Sequence, residues 1–379
     1  MRAYLLFETK LFLKETKNKI MFLIFTVFLL FVYFLIVVQG TGKIEQEQAE
    51  QMNASRIAIS SIAATNSENE ETSTLYENIY QQQQLLSQQD NGIRFEDRDW
   101  YLDSAIELAQ LQIELYDYTE FNELDTPLRS IIPSIHTARK ELTRSTYIRD
   151  NDTPIMYDQD NAAGFMMNYF STFGVVAFLF LLLCSGSLLT NDLDHETMVK
   201  GYPVTYRQKI VSKILIYTVA SFFSIFAITG LAGLIVWVIK GIGDFTYPMI
   251  VYNQGFYQAI PIAQYTLIYF GYLVILTIHV VSFSAFLNTL LKNVYATLLG
   301  GVVCFAIPLV AQNWIGWLWW TPIPYYNPFA ILSGDIAYLA NHEHLTLVYG
   351  GGVLLIWSMV FLIIVYAINR LENKSRTIE

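Results

Sequence analysis

The chain has 379 residues, 54% of them hydrophobic and only 15% charged, with a formal net charge of −10. Soluble domains carry about 25% charged residues, so an ordinary water-soluble globule is excluded, and the acidic balance argues against a nucleic-acid partner. Both cysteines, Cys184 and Cys304, fall inside apolar runs, which excludes a disulfide framework or a Cys-based metal site and leaves them as small packing residues.

Residues 1–19 read as an amphipathic interfacial helix. Leu5, Leu6, Phe12 and Leu13 share one face, Lys10, Lys14 and Lys17 lie toward the other, and Phe7 and Leu11 interrupt the pattern. Such a helix lies in a headgroup layer with its lysines near anionic lipid. It serves as an anchor or, in a transporter, as a contact for a motor subunit. The first apolar run, 20–38, is too long for a signal-peptide core, and no small-x-small cleavage site follows it.

Residues 40–163 form a large acidic segment, with 23 Asp/Glu against 9 Lys/Arg, a formal −14 that accounts for the acidity of the whole chain. Leu75, Ile79 and Leu86 mark one helix, passing through the Gln-rich stretch 81–84, whose plain reading is a polar helix face. Leu102, Ile106, Ala109, Ile113 and Tyr116 mark a second, and Asp90-Asn91-Gly92 predicts the turn of a helical hairpin between them. Pro127, Pro133 and Pro154 break the remainder. The acidic surface is either simply solvated or attractive to cationic ligands. Asn53-Ala54-Ser55 and Asn151-Asp152-Thr153 are glycosylation acceptors only on a eukaryotic secretory route.

Five further apolar runs follow at 165–189, 215–239, 265–287, 294–309 and 345–368. Crossing about 30 Å of hydrocarbon takes about 20 helical residues, so with 20–38 the chain offers six spans, the fifth being the shortest. No alternating strand pattern of a barrel is present, and helices satisfy their own backbone in lipid. The predicted fold class is an all-α polytopic membrane protein. It has six transmembrane helices, an N-terminal interfacial helix and a large helical extracellular domain between helices 1 and 2.

Basic residues set the orientation. Residues 1–19 hold Arg2, Lys10, Lys14, Lys17 and Lys19, the 191–213 loop holds Lys200, Arg207, Lys209 and Lys213, and Lys292 and the 370–379 tail add to the same side. The two short loops opposite offer Lys240 alone. Both termini are therefore expected in the cytoplasm and 40–163 outside, in a plasma membrane. The low cysteine use points to a bacterial one.

The six runs contain no Asp, Glu, Lys or Arg, and His279 is the one histidine within them. Ion-coupled transporters need such groups at membrane depth. His279 reads as a hydrogen-bonded packing residue more readily than as a proton relay. No phosphate-binding GxxxxGK[ST] loop, HExxH motif or nucleophile elbow is present. His342-Glu343-His344 is either a metal-binding cluster or, more plainly, an exposed loop. The chain itself is predicted to be no enzyme, and any motor would be separate.

Three features carry a resemblance to the ABC-2 type transporter permeases, whose fold is shared with type V ABC exporters. The first is the order of interfacial helix, span, large outside domain and five closely spaced spans. The second is Asp194-His195-Glu196-Thr197-Met198-Val199-Lys200-Gly201-Tyr202-Pro203, followed by Arg207 and Lys213, similar to the family's acidic-Pro-Arg-Lys segment between spans two and three. The family often places Gly before the Thr, and this chain does not. The third is Pro322-Ile323-Pro324-Tyr325-Tyr326-Asn327-Pro328-Phe329, similar to the family's re-entrant region after span five. The likeness covers the first 40 residues and about 160 to the end.

The resemblance implies a transmembrane subunit of an ATP-driven exporter, paired with a second permease copy or paralogue and seated on cytoplasmic ABC ATPase subunits. ATP and Mg would be bound by the partner, with no cofactor in this chain. Asp194, Glu196, Thr197, Pro203, Arg207 and Lys213 would form the ATPase-coupling segment, with Glu196 and Arg207 in salt bridges to the ATPase or merely anchoring the loop. Region 310–344, with Trp317, Trp320, Pro324, Tyr326, Asn327 and Pro328, would form an outer gate; an interfacial aromatic belt is its plainer reading. An apolar interior without ionisable groups suits an amphipathic or hydrophobic substrate, a peptide or lipid-like molecule. The alternative is a membrane-anchored receptor or sensor whose outside domain binds a ligand. A type VII mechanotransmission protein fits less well, since those have four spans.

Overall fold

The computed structural model describes residues 2–39, 44–64, 70–119, 121, 132–190, 192 and 205–376. In chain order the helices are α1 (Arg2–Lys14), α2 (Thr16–Gln39), α3 (Ile44–Ala64), α4 (Glu70–Arg94), α5 (Arg98–Glu114) and α6 (Ile135–Asp150). There follow α7 (Ala162–Ser185), α8 (Tyr206–Lys240), strands β1 (Pro248–Asn253) and β2 (Phe256–Pro261), α9 (Ile262–Leu291) and α10 (Val294–Val310). Two short helices, α11 (Pro328–Ser333) and α12 (Asp335–Leu339), lead to α13 (Leu347–Arg376).

Among the described residues, five stretches are long and apolar enough to cross a membrane: Thr16–Ile36, Ala162–Ser185, Tyr206–Lys240, Ile262–Leu291 and Leu347–Leu371. The sixth predicted span lies on α10, which is apolar but has 17 residues. At 1.5 Å per residue it is about 25 Å long, short of the roughly 30 Å of a hydrocarbon core. The chain is thus mostly helical and has the make-up of a polytopic membrane protein, with five helices long and apolar enough to span and one shorter apolar helix among the described residues.

Two compact units emerge: Met1–Val32, Asn168–Ile235 and Thr266–Glu379 make the first, Tyr33–Met167 and Val236–Tyr265 the second. The first holds most of the apolar helices. Rings of α2 and α7 interlock, Phe25 lying 5.1 Å from Phe173 and 5.0 Å from Phe180. Small residues let α7 and α10 approach: a Cβ on Gly301 would lie 2.3 Å from Leu182 Cδ2, and one on Gly186 2.7 Å from Leu298 Cδ2. Buried polar side chains add directional bonds, Ser185 to Ser284 at 2.7 Å and Asn288 Nδ2 to the Gly186 carbonyl at 3.0 Å.

The second unit is built on α3–α6. Leu75 and Ile79 of α4 are buried with Ala58 of α3, Leu115, Phe121 and Ile132. Leu85 and Leu86 pack on Leu108 of α5. The predicted turn at Asp90-Asn91-Gly92 is not there: α4 runs through these residues to Arg94. Asp90 and Arg94 form an i,i+4 ion pair at 2.8 Å, and the missing Cβ of Gly92 admits the Tyr101 backbone nitrogen, 2.9 Å from where it would sit. The glycine serves a close crossing of α4 and α5. Reversal occurs instead at Glu96, in a left-handed conformation (φ 54°), before Asp97, whose side chain accepts from the Trp100 amide and caps α5.

The fold is not wholly α. β1 and β2 form an antiparallel hairpin in which Asn253 faces Phe256, so that Gln254-Gly255 is a two-residue loop. Both loop residues have positive φ (47° and 88°), as a type I′ turn requires. His136 Nδ1 of α6 meets the Tyr257 hydroxyl of β2 at 2.6 Å, fixing the hairpin on that helix.

Candidate functional site

The lysine-rich end of the first unit is organised by α1. Tyr4, Glu8 and Phe12, one helical turn apart, are its buried stripe. Leu6 and Leu13, expected on the same face as Phe12, are exposed alongside Lys10 and Lys14. Phe12 packs with Leu188, Ile216, Tyr217, Val281 and Ala285, its ring edge-on to Tyr217 at 4.9 Å. Between α1 and α2 the helix breaks at Glu15. Buried Asn18 repairs the break by donating to the Phe12 carbonyl at 2.9 Å and to Glu15 at 3.0 Å. Lys17 donates to Ser187 Oγ at 2.7 Å and to the Cys184 carbonyl at 3.3 Å, at the end of α7, where unpaired carbonyls attract a cation.

Lys213 is the centre of this end. It is 2% exposed and lies two turns inside α8, which begins at Tyr206 rather than after 213. Its ammonium donates to Asp192 Oδ1 at 2.7 Å and to the Leu188 carbonyl at 3.1 Å, and lies 3.8 Å from Glu8 Oε1. Tyr4 donates its hydroxyl proton to the same Glu8 oxygen, and Lys209 pairs with the other Asp192 oxygen at 2.8 Å. Two carboxylates and two ammonium groups thus form a neutral set uniting α1, the residues after α7 and the first turns of α8. Buried charges survive when paired and hydrogen-bonded in this way.

The start of α8 is fixed by a capping box. The Gln208 amide donates to Thr205 Oγ1 at 3.3 Å, and the Thr205 amide donates to Gln208 Oε1 at 3.1 Å. Arg207 stands exposed on that first turn and takes no part in the charge cluster. Asp194, Glu196, Thr197 and Pro203 lie outside the described residues. The structure therefore brings one predicted coupling residue, Lys213, into the cluster. Glu8, Asp192 and Lys209, which complete it, had no signal in the sequence beyond an acid on an otherwise basic helix.

Farther along α7 and α9 from the cluster, region 310–344 packs against Gly174, Phe178 and Tyr272. Asn327 caps α11, its side chain accepting from the Ala330 amide at 3.1 Å, and Pro328 takes the first helical position. Gly334 closes α11 in a left-handed conformation (φ 80°). The segment is seated on its neighbours through glycines: a Cβ on Gly174 would meet Asn327 Oδ1 at 2.7 Å, and one on Gly350 the Tyr325 ring at 2.5 Å. Tyr272 donates to the Tyr325 carbonyl at 2.9 Å, and Tyr326 stacks on Phe178 at 4.0 Å. Of the predicted gate residues, Pro324, Tyr326 and Pro328 are buried packing elements and Asn327 is a cap, whereas Trp317 and Trp320 are 81% and 55% exposed.

His279 is fully buried in α9. Its Nδ1 lies 3.0 Å from the Leu354 carbonyl and 3.2 Å from Ser358 Oγ, both on α13. A carbonyl only accepts, so Nδ1 carries the proton and ties α9 to α13. His342 and His344 have their rings 5.5 Å apart, yet among the described residues no group of three or more His, Cys, Asp or Glu is placed to hold a metal. Comparison with protein-family models, curated proteins and solved structures gives no match.

Proposed function

We propose that this chain is the permease subunit of an ATP-driven exporter, working with a separate ATPase that presses on segment 193–204. The observation that carries this reading is the neutral cluster of Glu8, Asp192, Lys209 and Lys213. A loop transmits force only if its two ends are fixed to what must move. Here the residue preceding the segment, Asp192, is ion-paired to the helix that follows it, and α1 is locked to both. A push on the segment would therefore reach α1, α7 and α8 together. The six apolar runs hold no carboxylate or ammonium to bind a driving ion, which favours an external source of work.

Glu196 and Arg207 are assigned to the ATPase contact. Arg207 suits that role because it is exposed and free of the cluster, so its removal changes the contact and leaves the mount intact. The test is a mild-detergent pull-down of tagged protein with ATPase activity assayed on the eluate, wild type beside the Glu196→Ala/Arg207→Ala double variant. Wild type is expected to bring down an ATPase that the variant loses. Absence of any nucleotide-hydrolysing partner, in detergent and in nanodiscs alike, would sink the reading.

One observation favours the receptor alternative. The second unit encloses a cavity of about 90 Å³ lined by Gln48, Gln89, Gln112, Thr137 and Arg144 among others, and buried Gln48 Oε1 has no hydrogen-bond partner among the described residues. Deleting 42–160 separates the two readings: the ATPase would still copurify if the unit only assists export.

A further inference from the structure

We infer that the tryptophan groove of region 310–344 is a binding site for a free amphipathic cation, an alkylammonium head on an apolar tail. The inference rests on the exporter reading, since it names the class of molecule that would leave by this route.

The groove has a volume of about 540 Å³ and is lined by Trp317, Trp319, Trp320, Asn341 and His342 over Gly316 and Ala340. That volume falls in the range of about 300–1,000 Å³ typical of small-molecule sites. Its walls are held from behind. The Trp319 ring stacks on His342 at 5.9 Å, and the Trp319 carbonyl accepts from the Tyr325 hydroxyl at 2.7 Å. The Trp320 ring lies 6.1 Å from that of Trp357, whose indole N–H donates to the Trp320 carbonyl at 2.9 Å. The floor requires glycine, since a Cβ on Gly316 would lie 2.9 Å from the Ala340 carbonyl oxygen. His342 Nδ1, buried in this wall, has no hydrogen-bond partner among the described residues. An interfacial belt needs none of this: belt rings need only float at headgroup depth.

The charge pattern chooses the ligand. From Asn293 to Asn369 the sequence holds no Lys or Arg, while Asp335 and exposed Glu343 lie within that stretch and Glu343 adjoins His342. A groove walled by indoles, with Glu343 next to lining His342 and no ammonium or guanidinium among the lining residues, is complementary to a cation with an apolar body. Indole is the best aromatic partner for one, and Glu343, next to the lining residue His342, adds an attractive charge.

The test uses full-length protein in uncharged maltoside micelles and compares decyltrimethylammonium with the uncharged analogue in which carbon replaces the ammonium nitrogen. The ammonium compound is expected to bind about fivefold to thirtyfold tighter, the range of a partly desolvated cation–aromatic contact. Trp317→Ala should remove most of that preference and Trp317→Phe restore part of it; this ring is exposed, so neither change threatens the fold. Equal affinity for the two compounds, or a preference untouched by Trp317→Ala, would overturn the inference. So would probe binding abolished by phosphatidylcholine added to the micelles, because the occupant would then be a lipid headgroup. ATPase copurification is a separate readout, so a groove that ignores cations on a chain that still recruits an ATPase would refute this inference alone.

Discussion

Lys213 shows how much a single side chain can organise. Read from the sequence it belongs to a cytoplasmic loop; in the structure it is buried between Asp192 and Glu8, donating to Asp192 and to the Leu188 carbonyl. Truncating one partner of such a set strands the others. Lys213→Ala is therefore expected to cost about 3–5 kcal/mol, read as loss of thermal stability in detergent, with partial recovery when Asp192→Asn is added. Arg207→Ala, on an exposed position of the same helix, should stay within about 0.5 kcal/mol of wild type. The sequence carries no pattern that could have announced the cluster. Its members come from residues 8, 192, 209 and 213, and only their burial brings them together.

Helices were the most legible elements, because a run of apolar residues about 20 long has few other solutions. Their ends were not: α8 begins nine residues before its apolar run, at the Thr205/Gln208 capping box, a signal present in the sequence but masked by the basic residues around it. The β-hairpin escaped notice because its loop is Gln-Gly, with Gln254 standing where Asn is the familiar residue. Gly92 misled in the opposite direction, a turn signal used for packing. It separates two forces that can be measured. Gly→Ala in a helix interior normally gains about 1 kcal/mol, yet Gly92→Ala is expected to destabilise the protein, because the new methyl meets the Tyr101 backbone. A matched pair makes the same point in the apolar helices. Gly350→Ala places a methyl 2.5 Å from the Tyr325 ring, and overpacking of this kind costs about 1–3 kcal/mol. Gly352→Ala, with open space around it, should be neutral or stabilising. Equal melting temperatures for these two variants would contradict the seating of region 310–344 on α13.

At the scale of the molecule, the two ends of the first unit are built differently. One is a neutral charge cluster fixing α1, α7 and α8; the other is a short-helix and tryptophan region held by glycines, Tyr272 and Trp357. Between them polar contacts such as that of His279 with the Leu354 carbonyl tie the helices to one another. Composition alone announced the membrane class. The candidate site was legible only in part: Arg207, Lys213 and the two exposed tryptophans could be named, but which of them are buried, capping or free depends on packing that no local spacing encodes. The account as a whole stands on segment 193–204 touching a motor. The most direct measurement is photo-crosslinking in membranes from a reactive residue placed at position 196, with position 317 as control. The account predicts an ATP-hydrolysing protein crosslinked at 196 and absent at 317. Crosslinks at 196 to lipid or to this chain alone would contradict it.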